Sequence, residues 1–256
     1  GGNEKSNFYI SGSYMDQEGI IKKSNYEKLN FRVKSEHQLT DKIKFDENVS
    51  FLNSVTEGME EWMYTNVYFT PIYVGMVMPP FMPPYNEDGT WTAPPGNNPF
   101  GIIDNRNYKS KLAQFSGNTG FTINLVKGLT YSPRVNGYMG INDVWNFTPK
   151  YFVKANQSNE KNNLRQGLQR QFGWVLQNVL NYEFNLLEIH KFNVMVGQEA
   201  KRNWGYDLNG MRQSFKSTLP NMLYMSKSLD DTTNAQAIEG GGYESRMSSY
   251  FGRFSY

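Results

Sequence analysis

From Ile43 to Phe51 the apolar side chains fall on every second position. A period of two places them on one face of an extended strand. Ile43, Phe45, Val49 and Phe51 share that face, with Glu47 as the exception, and Lys44, Asp46, Asn48 and Ser50 take the other. Upstream, Leu29, Phe31, Val33 and Leu39 alternate with Asn30, Arg32, Lys34 and Glu36, and Thr40-Asp41-Lys42 between the two runs reads as the turn of an antiparallel hairpin. The same unit recurs through Phe115, Phe121, Ile123 and Leu125, the turn Lys127-Gly128, and Leu129, Tyr131, Val135, Met139 and Ile141. A third runs from Phe172, Trp174, Leu176, Leu180, Tyr182 and Phe184, turns near Leu187-Glu188-Ile189, and returns through Phe192, Val194, Val196 and Ala200. With single strands near 7–15 and 244–256, the pattern predicts an all-β chain of about eight strands.

The connections add a topology. Turns at 40–42, 127–128 and 187–190 are tight, whereas those near 15–25, 53–108, 146–170 and 205–243 are long. Strict alternation of short and long gathers the tight turns at one rim of an up-and-down barrel and the long loops at the other. A soluble antiparallel sandwich is the competing fold, but neither of its ends faces a special compartment. Eight strands alone would close a barrel just filled by side chains. The inner face would carry Arg32, Lys34, Glu36, Lys44, Asp46, Arg134 and Glu183, more charge than so small a lumen accommodates. The expected fold is therefore an antiparallel up-and-down transmembrane β-barrel segment, with residues 1–256 forming part of one larger barrel. The chain opens Gly1-Gly2-Asn3 and stops inside the alternating run Phe251–Tyr256, which predicts a stretch of a longer polypeptide.

Composition excludes much else. There is no cysteine, so disulfide scaffolds, thiolate metal sites and cysteine nucleophiles are ruled out. With only His37 and His190, imidazole-based metal and triad chemistry has little to draw on. Twenty-six Lys and Arg against 24 Asp and Glu leave no basic field of the kind nucleic acid requires. A mean hydropathy of −0.64 and the lack of any apolar run of about 18 residues exclude a membrane-spanning helix but not a barrel, whose strands alternate and average to a polar composition. Aromatics make up 15% of the residues, which suits sheets with one greasy and one wet face.

Several segments resemble SusC/RagA-type TonB-dependent outer-membrane transporters, in the family's order and over nearly the whole chain. They are Phe8–Ile21 (FYISGSYMDQEGII), Leu39–Lys44, Pro83–Thr90 with Asn98-Pro99-Phe100, Gly117-Asn118 with Leu125–Leu129, and Ser249–Tyr256 (SYFGRFSY). The resemblance implies a 22-stranded barrel closed by an N-terminal plug and energised through TonB. It also implies a SusD-type surface lipoprotein as a lid, and an oligosaccharide or in some members a peptide as cargo. Plug, TonB box and further strands have no counterpart here, so this chain would form part of the wall and its external loops. The localisation implied is the outer membrane, with lipid against the barrel, and no cofactor or metal is implied.

The loop from Pro71 to Pro99 holds Tyr73, Phe81, Tyr85 and Trp91 among prolines that restrict the backbone. Sugars pack C–H faces on aromatic rings and leave hydroxyls for amides and carboxylates. Tyr85, Trp91 and Trp145 are accordingly the candidate substrate-binding aromatics, with Asn97, Asn98 and Asp104 as polar partners. The plainer alternative is that this loop only packs over a plug or lid. No residue is expected to be catalytic. Glu60-Glu61 and Asp230-Asp231 are adjacent and read as solvated charge, and Asn86–Gly89 lacks the later acid of a calcium loop. Gly240–Gly242 reads as a loop end. Two other functions compete with transport: a soluble glycan-binding module using Trp62, Trp91 and Trp145, and an all-β glycoside hydrolase.

Overall fold

The computed structural model describes residues 1–59, 70–187, 189–229 and 237–256. Eight long strands form one sheet: β1 (Ser6–Glu18), β2 (Asn25–Thr40), β3 (Ile43–Gly58), β4 (Asn107–Val126), β5 (Leu129–Thr148), β8 (Asn163–Leu186), β9 (His190–Gln213) and β10 (Ala237–Ser255). Their order is β1-β2-β3-β4-β5-β8-β9-β10, every neighbour antiparallel, so the sheet is a meander. Among the described residues, the small hairpin of β6 (Tyr151–Lys154) and β7 (Gln157–Asn159) forms a separate two-stranded sheet. Two short helices, α1 (Pro71–Val77) and α2 (Pro99–Asp104), lie in the connection before β4.

The tight turns follow the residue chemistry. Gly128 has φ 79°, and a Cβ there would stand 2.1 Å from the Glu183 carbonyl oxygen, so only glycine fits the β4–β5 turn. Leu187 takes φ 52° at the β8–β9 turn. A register shift between Gln38 and Thr40 ends the β2–β3 ladder with a local irregularity.

Register aligns the apolar residues across six strands. Phe31 stands opposite Phe51, Phe51 opposite Phe115, Phe115 opposite Met139, Met139 opposite Phe172, and Phe172 opposite Trp204. This apolar face is the exposed one: Phe115 is 46% and Val196 52% accessible, while Gln114, Ser116 and Asn118 on the polar face of β4 are half-buried. Hollows of about 500 and 360 Å³ along the polar face mark its concave side. A water-soluble sheet buries its apolar face; this one is inverted, as a barrel wall in lipid must be.

Polar groups on the lipid side are tied to one another, as hydrocarbon requires. Tyr131 Oη donates to Asn178 Oδ1 at 2.7 Å, and Asn178 Nδ2 donates to Gln198 Oε1 at 2.9 Å. The Glu47 that interrupts the apolar run accepts from Ser35 Oγ at 3.0 Å, and Ser35 Oγ lies 2.9 Å from His37 Nε2. At the tight-turn rim, Tyr182, Phe184, Phe192 and Tyr256 stack in series with centroids 5.1–5.2 Å apart. Ten residue steps separate Tyr182 from Phe172. At about 3.3 Å per residue and a tilt of about 40°, that is roughly 25 Å along the membrane normal, the height of a barrel's apolar band.

On the concave side the lower lumen is charged. Arg134 reaches across Gly120 to grip Asp46 with two bonds of 2.8 and 3.0 Å, and a Cβ at Gly120 would lie 3.3 Å from the Arg134 guanidinium carbon. Lys34 and Lys44 flank Glu36 at 3.0 and 2.8 Å.

The strands run further than the alternation predicts, and the loops are correspondingly shorter. The first long connection shrinks to 19–24, and β8 begins at Asn163. Gly240–Gly242, expected at a loop end, stand in the β10 ladder opposite Leu208, Asp207 and Tyr206. Beyond the lipid band both faces meet water, so the alternation disappears while the backbone bonds continue.

Placing a cation on either face tests the inversion. Val196→Arg, inside the apolar band, is expected to destabilise the barrel by about 2–4 kcal/mol, whereas Gln177→Arg on the lumen face opposite Glu199 costs less than about 1 kcal/mol. Denaturant titration of the full-length protein folded into vesicles measures both. Equal losses would overturn the assignment of faces.

Candidate functional site

The connection before β4 is organised by one asparagine. Asn98 is fully buried and caps α2, its Oδ1 accepting from the N–H groups of Phe100 and Gly101 at 3.0 and 3.1 Å. Pro99 at the first helical position needs no hydrogen bond, which favours the helix start there. Asn98 Nδ2 donates to the carbonyls of Pro84 at 2.7 Å and Thr92 at 3.0 Å. Its backbone exchanges two bonds with the Gln157 amide of β7, at 2.7 and 2.8 Å. One side chain thus joins two stretches of the loop to α2, and its backbone fastens them to the β6–β7 hairpin.

Three other candidates meet at one oxygen. Asp104 Oδ2 accepts from Tyr85 Oη at 2.8 Å and from Trp91 Nε1 at 3.1 Å, and Tyr85 and Trp91 also form a β-bridge. The Tyr85 ring lies 5.5 Å from Phe100, and Trp91 meets Tyr151 edge-on at 6.4 Å. Burial, then the hydrogen bond to Asp104 and its charge, push the Tyr85 phenol up to about 12. Asn97 is half-buried beside Asn98. Lys154 Nζ donates to the Pro94, Pro95 and Gly96 carbonyls, and Lys23 Nζ donates to the Asp104 carbonyl at 2.7 Å. In the turn at 86–90, Asp88 Oδ1 accepts from both the N–H and the hydroxyl of Thr90, which hold its carboxyl below the usual range.

Trp145 does not join this group. It shares a strand face with Met139 and Phe147, the outward one, above the lipid band. There it packs on the buried cluster of Phe147, Leu164, Phe215 and Leu223, where the segment after β9 folds back over the wall. It borders a cleft of about 850 Å³ together with Lys23, Glu57, Arg106, Lys109 and Asp143. Trp62, Glu60-Glu61 and Asp230-Asp231 lie outside the described residues. His37 and His190 are held in side-chain networks, His190 Nδ1 lying 2.7 Å from Tyr256 Oη.

The residues that motif reading passed over are on the concave face. The 500 Å³ hollow beneath the long loops is lined by Tyr26, Gln114, Tyr138, Asn142, Gln169 and Gln171, with Leu112 and smaller residues completing the wall and no charged side chain. Ser110 Oγ donates to Asn142 Oδ1 at 2.7 Å. Gly140 sits between Gln114 and Gln171 in the register, and a Cβ there meets nothing within 4 Å, so this glycine opens the hollow. Their signal is parity alone, the positions opposite each apolar run.

No protein-family model matches the chain. It is 25% identical to TonB-dependent receptor P26 of Formosa agariphila over 270 residues, covering all of this chain and 25% of that receptor. It is 25% identical to TonB-dependent receptor P39 of the same organism over 213 residues, covering 80% of this chain and 19% of that receptor. The chain therefore spans about a quarter or less of these curated relatives. Among solved structures it superposes on the RagAB peptide transporter with a TM-score of 0.78 at 19% identity, covering 99% of this chain and 28% of that one. The RagAB peptide importer in its closed-closed state gives 0.77 at 20% identity. The likeness to the solved structures covers nearly the whole chain and is one of fold, an antiparallel sheet that superposes on about a quarter of a larger chain.

Two outcomes follow from the loop's bonding. Asn98→Ala leaves the Pro84 and Thr92 carbonyls without their donor and uncaps α2, and is expected to cost about 2–4 kcal/mol of local stability, read as faster amide exchange in residues 84–104. The Tyr85 phenol is raised from 10.0 to about 12, so its bond to Asp104 is intact below pH 10 and is lost as pH rises towards 12. The tyrosinate absorbance of the native receptor minus that of Tyr85→Phe should show this late transition; a midpoint near 10 would remove the Asp104 contact.

Proposed function

We propose that this stretch of TonB-dependent receptor barrel belongs to an active importer of a neutral, hydrogen-bonding polymer, an oligosaccharide or a peptide. The observation that supports it best is the inverted sheet, apolar towards lipid and, beneath the long loops, lined by uncharged amides, hydroxyls and tyrosines. Each such group exchanges a water bond for a ligand bond at a net gain of about 0.5–1.5 kcal/mol. Several together hold a polymer well enough to capture it and loosely enough to release it.

The mechanism is binding and gating without a chemical step. Ligand settles among the external loops and upper lumen, a lid of the SusD type closes over it, and TonB pulls on a plug to open the path. Tyr85 and Trp91 present ring faces from a loop made stiff by Asn98 and Asp104, with Asn97 beside them, and this loop forms part of the entrance. Trp145 acts from the outer side of the wall, on ligand or on a partner held in the cleft it borders. The soluble-module reading loses its stacking platform, because Trp91 and Trp145 occupy separate clusters and the exposed apolar face has no place in water.

Calorimetry on the full receptor with its lid, titrated with oligosaccharide and peptide panels, tests the reading and selects between the cargoes. Gly140→Leu, whose Cβ enters open space, projects its side chain into the hollow and is expected to weaken binding at least about tenfold, while Gln114→Ala with Gln171→Ala costs about 1–3 kcal/mol. Trp91→Ala is expected to cost about 1–3 kcal/mol if its ring packs on ligand. Undiminished affinity in all of these would displace the site from this stretch of the wall.

A further inference from the structure

Three arginines stand on the outward face at the upper edge of the apolar band: Arg170 on β8, Arg202 on β9 and Arg246 on β10. Arg202 is ten residue steps above Phe192, and Arg246 ten above Tyr256, the aromatics of the opposite rim. Both therefore lie roughly 25 Å from that rim, where the headgroups of the outer leaflet begin. Arg202 and Arg246 are directly opposed in the ladder, a like-charge pairing that costs stability unless something binds between them. Glu244 accepts from both, at 3.0 Å and 2.5 Å, so one carboxylate serves two guanidinium groups. Arg246 is still 71% exposed. The Arg202 guanidinium lies 4.7 Å from the Trp204 ring centre. Arg170 sits 5.7 Å from the Tyr206 ring and donates to its hydroxyl at 2.9 Å, yet its Nε is buried with no partner.

From this we infer that Arg170, Arg202 and Arg246 form a docking site for the phosphorylated headgroup of an outer-leaflet glycolipid. Three guanidinium groups against Glu244 and Asp143, the latter diagonal to Arg170 across the β5–β8 ladder, leave the patch with one net positive charge. Planar donors match phosphate oxygens in pairs, which a lone ammonium cannot do. Trp204 and Phe172, stacked at 5.5 Å, offer an apolar surface beside the charges for the start of an acyl chain. The pairing of rings and cations on one face fits a lipid better than a soluble anion, which has no use for the rings. Bound lipid would also offset the repulsion between Arg202 and Arg246, so it would stabilise the β9–β10 edge. The inference rests on the membrane placement of the wall and is independent of the cargo.

The test uses the full receptor in detergent, followed by thermal unfolding and native mass spectrometry with added lipid A, the same lipid after phosphatase treatment, or inorganic phosphate. Lipid A is expected to bind and raise the unfolding temperature, with little effect from the other two. Arg170→Gln, Arg202→Gln and Arg246→Gln should each weaken lipid A binding about fivefold, and Lys201→Gln on the lumen face of the same strand should not. Should Arg170→Gln or Arg202→Gln fail to insert, Arg246→Gln alone suffices, since its side chain is the most exposed of the three salt-bridge partners. Equal binding of the dephosphorylated lipid, a full response to inorganic phosphate, or no loss in Arg246→Gln would each overturn the proposal. Failure of cargo binding in the lumen variants with lipid binding intact would count against the transport reading alone.

Discussion

Every strand of this sheet depends on the unbroken antiparallel ladder. In hydrocarbon an unpaired N–H or C=O group costs several kcal/mol, so the wall must pair each backbone group with a neighbouring strand. One register row crossing six strands, from Phe31 to Trp204, shows how the ladder carries side-chain order with it. Once the backbone is paired, the side chains are free to face outward as lipid solvent and inward as lumen. The same rule governs the few polar groups on the lipid side. Glu47, Ser35 and His37, and Tyr131, Asn178 and Gln198, bond among themselves because no water is there to do it.

Above the lipid band a different economy holds. The loop of α1 and α2 has little apolar core beyond Met59, Val74 and Ile102, and takes its shape from hydrogen bonds to Asn98, Asp104 and Lys154. Prolines lower the entropy of holding that shape, and Gln157 transmits it to the β6–β7 hairpin. A loop built in this way is stiff but wet. It holds Tyr85 and Trp91 at fixed positions through their shared bonds to Asp104.

Most of the wall was legible in the sequence. The faces of β3, β4, β5, β8 and β9 follow from parity, and the turns at Asp41-Lys42 and Lys127-Gly128 from their residues. The upper halves of β8, β9 and β10 were not, because above the membrane neither face is apolar and glycines such as Gly240–Gly242 give no periodic signal. In the candidate site, Tyr85, Trp91 and Asp104 do meet, but their meeting rests on a β-bridge that no local pattern announces. Asn98 looked like a ligand donor and is a buried cap with every polar atom engaged.

The sequence by itself determined the fold class, the pairing of consecutive strands and which residues share each face, because alternation is a local property of an extended backbone. Only the tertiary structure decided that Trp145 stands outside the wall rather than beside Tyr85 and Trp91, and that Gln114, Gly140 and Gln171 border one hollow. It also brought Arg170, Arg202 and Arg246 together from three strands. These are matters of register between strands distant in sequence, and register is set by the ladder as a whole and the loops that close over it.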